Sequence, residues 1–210
     1  VFAHAVIPVF TGVLDGRGHV ISNLRIERGS YVGLFGHLAA EAEVRNVGVV
    51  DVNITNCSYA GGLVGCNYGG SITASYSRGS VSGDAYVGGL VGSNGGSVTN
   101  CYNSASVNGT QTVGGLVGGN SGRIATCYSS GSVSGTYVGG LVGSNYHGSI
   151  AASFWDTHTS GRTWSAGGTG KTTAEMQTTR TFLDAGWDFV GETANGTENI
   201  WWILEGKDYP

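Results

Sequence analysis

Four blocks of this chain read GGLVG, with leucines at Leu63, Leu90, Leu116 and Leu141, and a GLFG block places Leu34 ahead of them. A second series is stricter. Ile72, Val98, Ile124 and Ile150 recur every 26 residues; Tyr76, Tyr102, Tyr128 and Phe154 keep the same step, as do Val81, Val107 and Val133. Between Val133 and Gly139 the chain is one residue shorter than between Val81 and Gly88, and it regains one in SNYHGS (144–149) against SNGGS (93–97). Two changes of length that cancel leave the period intact. What is held fixed is the whole circuit, as the stacking of equivalent positions demands.

Each unit holds three short apolar segments, such as YVGGLVG (86–92), GSVTNCY (96–102) and ASVNG (105–109). They are rich in Val, Ile and Tyr and bounded by Gly, Asn or Ser, and no helical period appears before residue 170. Three such strands cannot bury their apolar side alone, so neighbouring units must cover one another. The expected fold is therefore all-β: a parallel β-solenoid of about six coils, ~4.8 Å apart and on the order of 30 Å long. Right-handed winding follows from the general preference of parallel crossovers. The aliphatic columns fill the interior, with the tyrosine column sharing the inward parity of Ile72. Asn67, Asn94, Asn120 and Asn145 form a further column, able to hydrogen-bond amide to amide along the axis. Glycines mark corners that need positive φ or close backbone approach. Ala74, Asn100, Thr126 and Ala152 fit the inward parity poorly, and a bend in that strand would turn them outward.

Composition narrows the partners. Of 210 residues 39 are Gly and only 2 are Pro, without a collagen period; 11% are charged and 40% hydrophobic. That is a folded chain whose surface is built from Ser, Thr and Asn. A net charge of −4 argues against nucleic acid. No apolar run reaches the ~20 residues that span a bilayer, and Val1 does not open a signal peptide.

These repeats resemble the GLUG-motif family. FTGVLDGRGHVISNLRI (10–26) looks like its opening unit, YVGLFG (31–36) like the first repeat, and RNVGVVDVNIT (45–55) like the transition into regular coils. SFWDTHTSGRTWSAGGTGKTTAEMQ (153–177) and FLDAGWDF (182–189) look like a closing segment. The resemblance implies a secreted or surface-displayed microbial protein whose repeats form a passive stalk or adhesin-like body. In some immunoglobulin A-cleaving metallopeptidases such repeats accompany a separate catalytic domain, and none of that machinery has a counterpart here. Only VFAHAVIPV (1–9) precedes the opening unit, so a processed or excised piece of a longer chain is expected.

The stretch SAGGTGKTT (165–173) looks like a phosphate-binding loop. A true one is G-x-x-x-x-G-K-[ST] after a buried strand, and the position of its first glycine is Ser165. No nucleotide is expected; Gly and Lys171 lead into a short helix over TTAEMQTT (172–179), with Thr172 or Thr173 as its N-cap. THTSGRTW (157–164) resembles a sialidase turn motif, with Thr159 where that motif has Asp. Asp51, Asp84 and Asp156 share no column, so the paired carboxylates of glycoside hydrolysis are missing. His4, His19, His37, His147 and His158 lack metal-ligand spacing.

Cys101 and Cys127 fall in one column, where in-register Cβ atoms lie ~4.8 Å apart against ~3.8 Å in a disulfide. Stacked thiols are expected there, while pairing of Cys57 with Cys66 is open on sequence alone. Asn53, Asn56, Asn108 and Asn195 begin N-x-[ST] sequons and are the candidate glycosylation sites.

The sequence thus divides into a solenoid over 1–165, comprising an opening unit 1–33 and coils 34–165, and a C-terminal cap over 166–210 with one small helix. Phe182, Trp187, Phe189, Trp201, Trp202 and Tyr209 of the cap are expected to cover the last coil. No catalytic, cofactor-binding or metal-ligating residue is assigned. The expected function is a non-enzymatic, extracellular structural module: a stalk, adhesin body or end-to-end filament subunit. A glycan- or host-surface-binding module, using the tail aromatics or a column such as Ser80/Ser106/Ser132, is the alternative. A polysaccharide-degrading β-helix is a weaker one.

Overall fold

The computed structural model describes residues 1–210, and every strand pairing in it is parallel. Each circuit adds one strand to a six-stranded sheet. In spatial order its members are Ile7–Phe10, Phe35–Leu38, Val64–Asn67, Val91–Asn94, Val117–Asn120 and Val142–Asn145. The remaining strands form the other walls. There Ile72, Val98, Ile124 and Ile150 lie in register from coil to coil, and so do Tyr76, Tyr102, Tyr128 and Phe154, and Val81, Val107 and Val133. This is the expected solenoid of about six coils. The cancelling changes of length also have a place: the pairing of 106–114 with 133–139 slips between Gly109 and Thr112, so the longer coil bulges while the columns on either side stay aligned.

The interior is one cluster of 33 buried residues running through the coils, with Leu63, Leu90, Leu116 and Leu141 fully buried. Each such side chain stabilises the fold by about 1.5–3 kcal/mol relative to exposure. The Asn column forms as expected. Asn67 Nδ2 donates to Asn94 Oδ1 at 2.9 Å, Asn94 to Asn120 at 2.8 Å, and Asn120 to Asn145 at 2.9 Å. Each of these amides also donates to a backbone carbonyl in the turn that follows it. One ladder therefore ties the coils together and fixes their corners.

One expectation about the corners changes, and close approach at the glycines holds. The glycines of GGLVG have ordinary φ; the left-handed corners are taken instead by Ala74, Asn100, Thr126 and Ala152 (φ 45–54°) and by Tyr31, Tyr59 and Tyr86 (φ 50–56°). The second glycine of each block is required by close approach. A Cβ on Gly62, Gly89, Gly115 or Gly140 would overlap Ser77, Asn103, Ser129 or Trp155 from the facing wall. The coil is too thin there to hold side chains from both walls.

The left-handed residue at 74, 100, 126 and 152 also reverses the side-chain parity. Ile72 and then Ser75, Cys101, Cys127 and Ser153 point inward, whereas Tyr76 and Tyr102 lie half-buried on the outside. The tyrosine column is thus an outer ladder, contrary to the parity expected from an unbroken strand.

Beyond the coils there are three short helices rather than one: Thr157–Ser160, Thr173–Met176 and Thr179–Leu183. Asp156 caps the first through two backbone N–H groups, and Gly161 ends it at φ 64°. Thr172 caps the second in a reciprocal capping box with Glu175. No helix is long and apolar enough to cross a membrane.

Candidate interaction site

The outward tyrosines are the feature that organises the surface. Tyr76, Tyr102 and Tyr128 stack with ring centroids 4.8 and 5.0 Å apart and planes within 5° of parallel. Arg78 lies over the first two rings and donates to the Tyr102 hydroxyl at 3.0 Å. Such a stack leaves a broad apolar flank, and the C-terminal tail covers it. Met176, Phe182, Trp187, Phe189 and Trp201 are buried in a second cluster with Tyr128 and Phe154. Trp187 Nε1 donates to the Ala152 carbonyl at 2.8 Å. Tyr128 donates to the Pro210 carbonyl, and the Tyr209 hydroxyl donates to Asp156 Oδ2 at 2.7 Å.

The tail aromatics therefore dock on the side of the last coils, not across their end. The end is covered by residues 164–171. Gly140 N–H bonds to Trp164 O, the Ser165 hydroxyl accepts from the N–H groups of Leu141 and Val142, and Thr169–Lys171 pairs with Phe154–Asp156. The phosphate-loop look-alike is thus an edge strand. Gly170 sits where a Cβ would press on the Trp155 ring and the Thr157 methyl.

As a sugar-binding platform the tail offers little. Of its aromatics only Trp202 is largely exposed; with Tyr76, Tyr102, Ile200 and Trp201 it lines a cleft of about 250 Å³. The Ser80/Ser106/Ser132 column is exposed and in register, with Ser132 Oγ donating to Ser106 Oγ at 3.0 Å.

The chemistry-bearing side chains are spent on structure. Asp156 is fully buried, with both oxygens occupied by the helix cap and Tyr209. The exposed Asp15 lies below the usual carboxylate range, held there by Asn46 and the Arg17 N–H and by Arg45. His37 is packed between the Tyr31 and Tyr68 rings, and burial lowers its pKa. His4, His19, His147 and His158 are exposed. No three His, Cys, Asp or Glu side chains come together as a metal-ligand set.

All four cysteines are free and buried. Burial pushes the Cys57 thiol up to about 11 and Cys101 well above its ordinary value, and each thiol donates to a backbone carbonyl, Cys57 to Thr55 and Cys101 to Thr99. Cys57 and Cys66 lie in different walls. The four sequon asparagines are exposed. Asn53 and Asn56 make no side-chain hydrogen bond, while Asn108 donates to Ser134 and Asn195 to the carbonyls of Leu183 and Trp187.

Sequence reasoning missed one feature. Tyr137, Tyr146 and Trp164 are 71%, 54% and 58% exposed and border a groove of about 450 Å³ on another side of the coils. They come from different segments with no shared spacing, so only the folded chain brings them together.

Residues 56–82, 83–108 and 109–134 each match the GLUG motif, so three consecutive GLUG repeats form the centre of the chain. The chain is also 43% identical over 90 residues to Halomucin of Haloquadratum walsbyi. That match covers 40% of this chain and 1% of the other protein's length. No solved structure matches the chain.

Proposed function

We propose that this GLUG-repeat chain is a non-enzymatic, extracellular structural segment, one stretch of a stiff stalk or surface body. The observation that carries the reading is the continuity of the ladders. The Asn67–Asn145 amide bonds and the Tyr76–Tyr128 stack run without interruption through successive coils. Polar and apolar columns that repeat in this way resist bending and sliding between coils, which is what a spacer requires. The likeness to part of Halomucin supports the same reading, as do surface columns of Ser and Asn. Glycosylation at Asn53 and Asn56 fits it too, since both amides are free for modification.

Among the structural roles, a stalk fits better than a filament subunit. Head-to-tail growth needs an open edge at both ends, and residues 164–171 cover much of one.

Protease treatment of intact producing cells tests the extracellular assignment. Peptides of this chain released while cytoplasmic markers stay intracellular are the expected result. Recovery of the chain only after lysis would contradict it.

A further inference from the structure

The geometry points to a binding site for a neutral polysaccharide in the groove formed by Tyr137, Tyr146 and Trp164. Almost every other partly exposed ring has its face occupied. Tyr31, Tyr59 and Tyr86 stack on one another at 4.6 and 4.9 Å, Tyr76 and Tyr102 stack in the second ladder, and the tail rings pack into the aromatic cluster. Tyr137, Tyr146 and Trp164 stack on no other ring, yet all three border the same groove. Three large apolar faces left in water at one place are unfavourable for the isolated chain and mark a contact surface.

The lining selects the ligand class. Besides the aromatics it contains the threonine hydroxyls of Thr112 and Thr136 and the side chain of Ser144. No lining residue is charged. A hexopyranose presents a face of C–H groups that stacks on an aromatic ring and a rim of hydroxyls that both donate and accept. Tyr and Trp supply rigid apolar area and Ser and Thr supply the polar complement, so the groove matches both halves. An anionic polymer would find no counter-charge. The volume of about 450 Å³ lies within the roughly 300–1,000 Å³ of small-ligand sites. The groove also continues toward the Tyr31–Tyr59–Tyr86 ladder, because the Tyr146 and Tyr86 hydroxyls lie 3.5 Å apart. A linear glycan lying along the coil axis would pass from the three open faces onto that row of phenol hydroxyls. This inference stands or falls separately from the structural role.

Native affinity electrophoresis through soluble neutral polysaccharides tests it, with gluco-, manno-, galacto- and xylo-configured polymers and polygalacturonate as the anionic comparison. We expect retardation by at least one neutral polymer, unchanged at ~0.5 M salt, where charge attraction is screened. Trp164→Ala and Tyr146→Ala should each weaken it at least tenfold, and Trp164→Tyr should retain most of it. Trp202→Ala, at the exposed tail tryptophan, should leave it unchanged. Melting temperatures of the variants identify any loss due to unfolding; if Trp164→Ala unfolds, Tyr146→Ala and Tyr137→Ala decide. Absence of retardation by every neutral polymer, retardation by polygalacturonate alone, or retardation untouched by the folded groove variants would overturn the assignment.

Discussion

Gly89 and Asn103 face each other across the coil with no room for a methyl group between them. Asn103 is fully buried and pinned by its own amide, which donates to the Ala105 carbonyl and accepts from the Ala105 N–H. It cannot step aside. Gly89→Ala should therefore destabilise by ~3 kcal/mol, the upper part of the usual overpacking range. For a chain of this size that is a fall in Tm of roughly 6–12 °C. Gly12→Ala is the comparison, since its Cβ would meet only Phe10 at 3.7 Å, an ordinary contact. Thermal melts should show it within about 0.5 kcal/mol of the parent.

The position of an asparagine in its ladder sets what its loss does. Asn94 bonds to both neighbours and to the Gly96 carbonyl, whereas Asn145 ends the row, accepting from Asn120 alone within the ladder and donating only to the Gly148 carbonyl. Asn94→Ala leaves buried partners unsatisfied on two sides and should cost about 2–4 kcal/mol, with Asn145→Ala about half of that. Denaturant titration of the two variants measures the ratio. Equal losses would mean that the amides act singly and not as a ladder.

Thr126 is a β-branched residue at φ 54°, in a column where Asn100 holds the same conformation. Asparagine tolerates the left-handed region much better than threonine. Thr126→Asn should raise stability by ~0.5–1 kcal/mol, read as an increase in Tm.

Alkali should loosen the tail before it harms the coils. Burial, and then the hydrogen bond to Asp156, push the Tyr209 hydroxyl up to about 12, and burial raises Tyr128 well above its ordinary value. Both folded pKa values lie above the unfolded one near 10, so the folded state holds protons that the unfolded state has lost. Their contribution is complete below pH about 10 and fades as pH rises toward about 12. Near-UV circular dichroism of the tail tryptophans should follow this window, and Tyr209→Phe should flatten the pH dependence.

How far the sequence could be read depended on how local each signal was. The 26-residue step in Ile72, Val98, Ile124 and Ile150 told both the fold and the register, because parallel stacking copies a column directly into a period. The Asn67–Asn145 ladder was legible for the same reason. The outward turn of Tyr76 was not. One left-handed residue at Ala74 reverses the parity; the misfit of the Ala74, Asn100, Thr126 and Ala152 column pointed to a bend, but not to its carrying the following tyrosines outward. The tail was visible as an aromatic segment, but its docking on Tyr128 and Phe154 depends on that reversal. The Tyr137/Tyr146/Trp164 groove escaped altogether, since it belongs to no repeat column.

The solenoid requires positions 26 residues apart to sit directly above one another. Pyrene labels on Ser106→Cys and Ser132→Cys measure this most directly, since those hydroxyls lie 3.0 Å apart on exposed surface while the native thiols are buried. Strong excimer emission is predicted from that pair, and none from Ser106→Cys with Arg123→Cys, whose partner lies on a different wall. Monomer emission alone from the first pair, or equal excimer from both, would contradict the stacked-coil account.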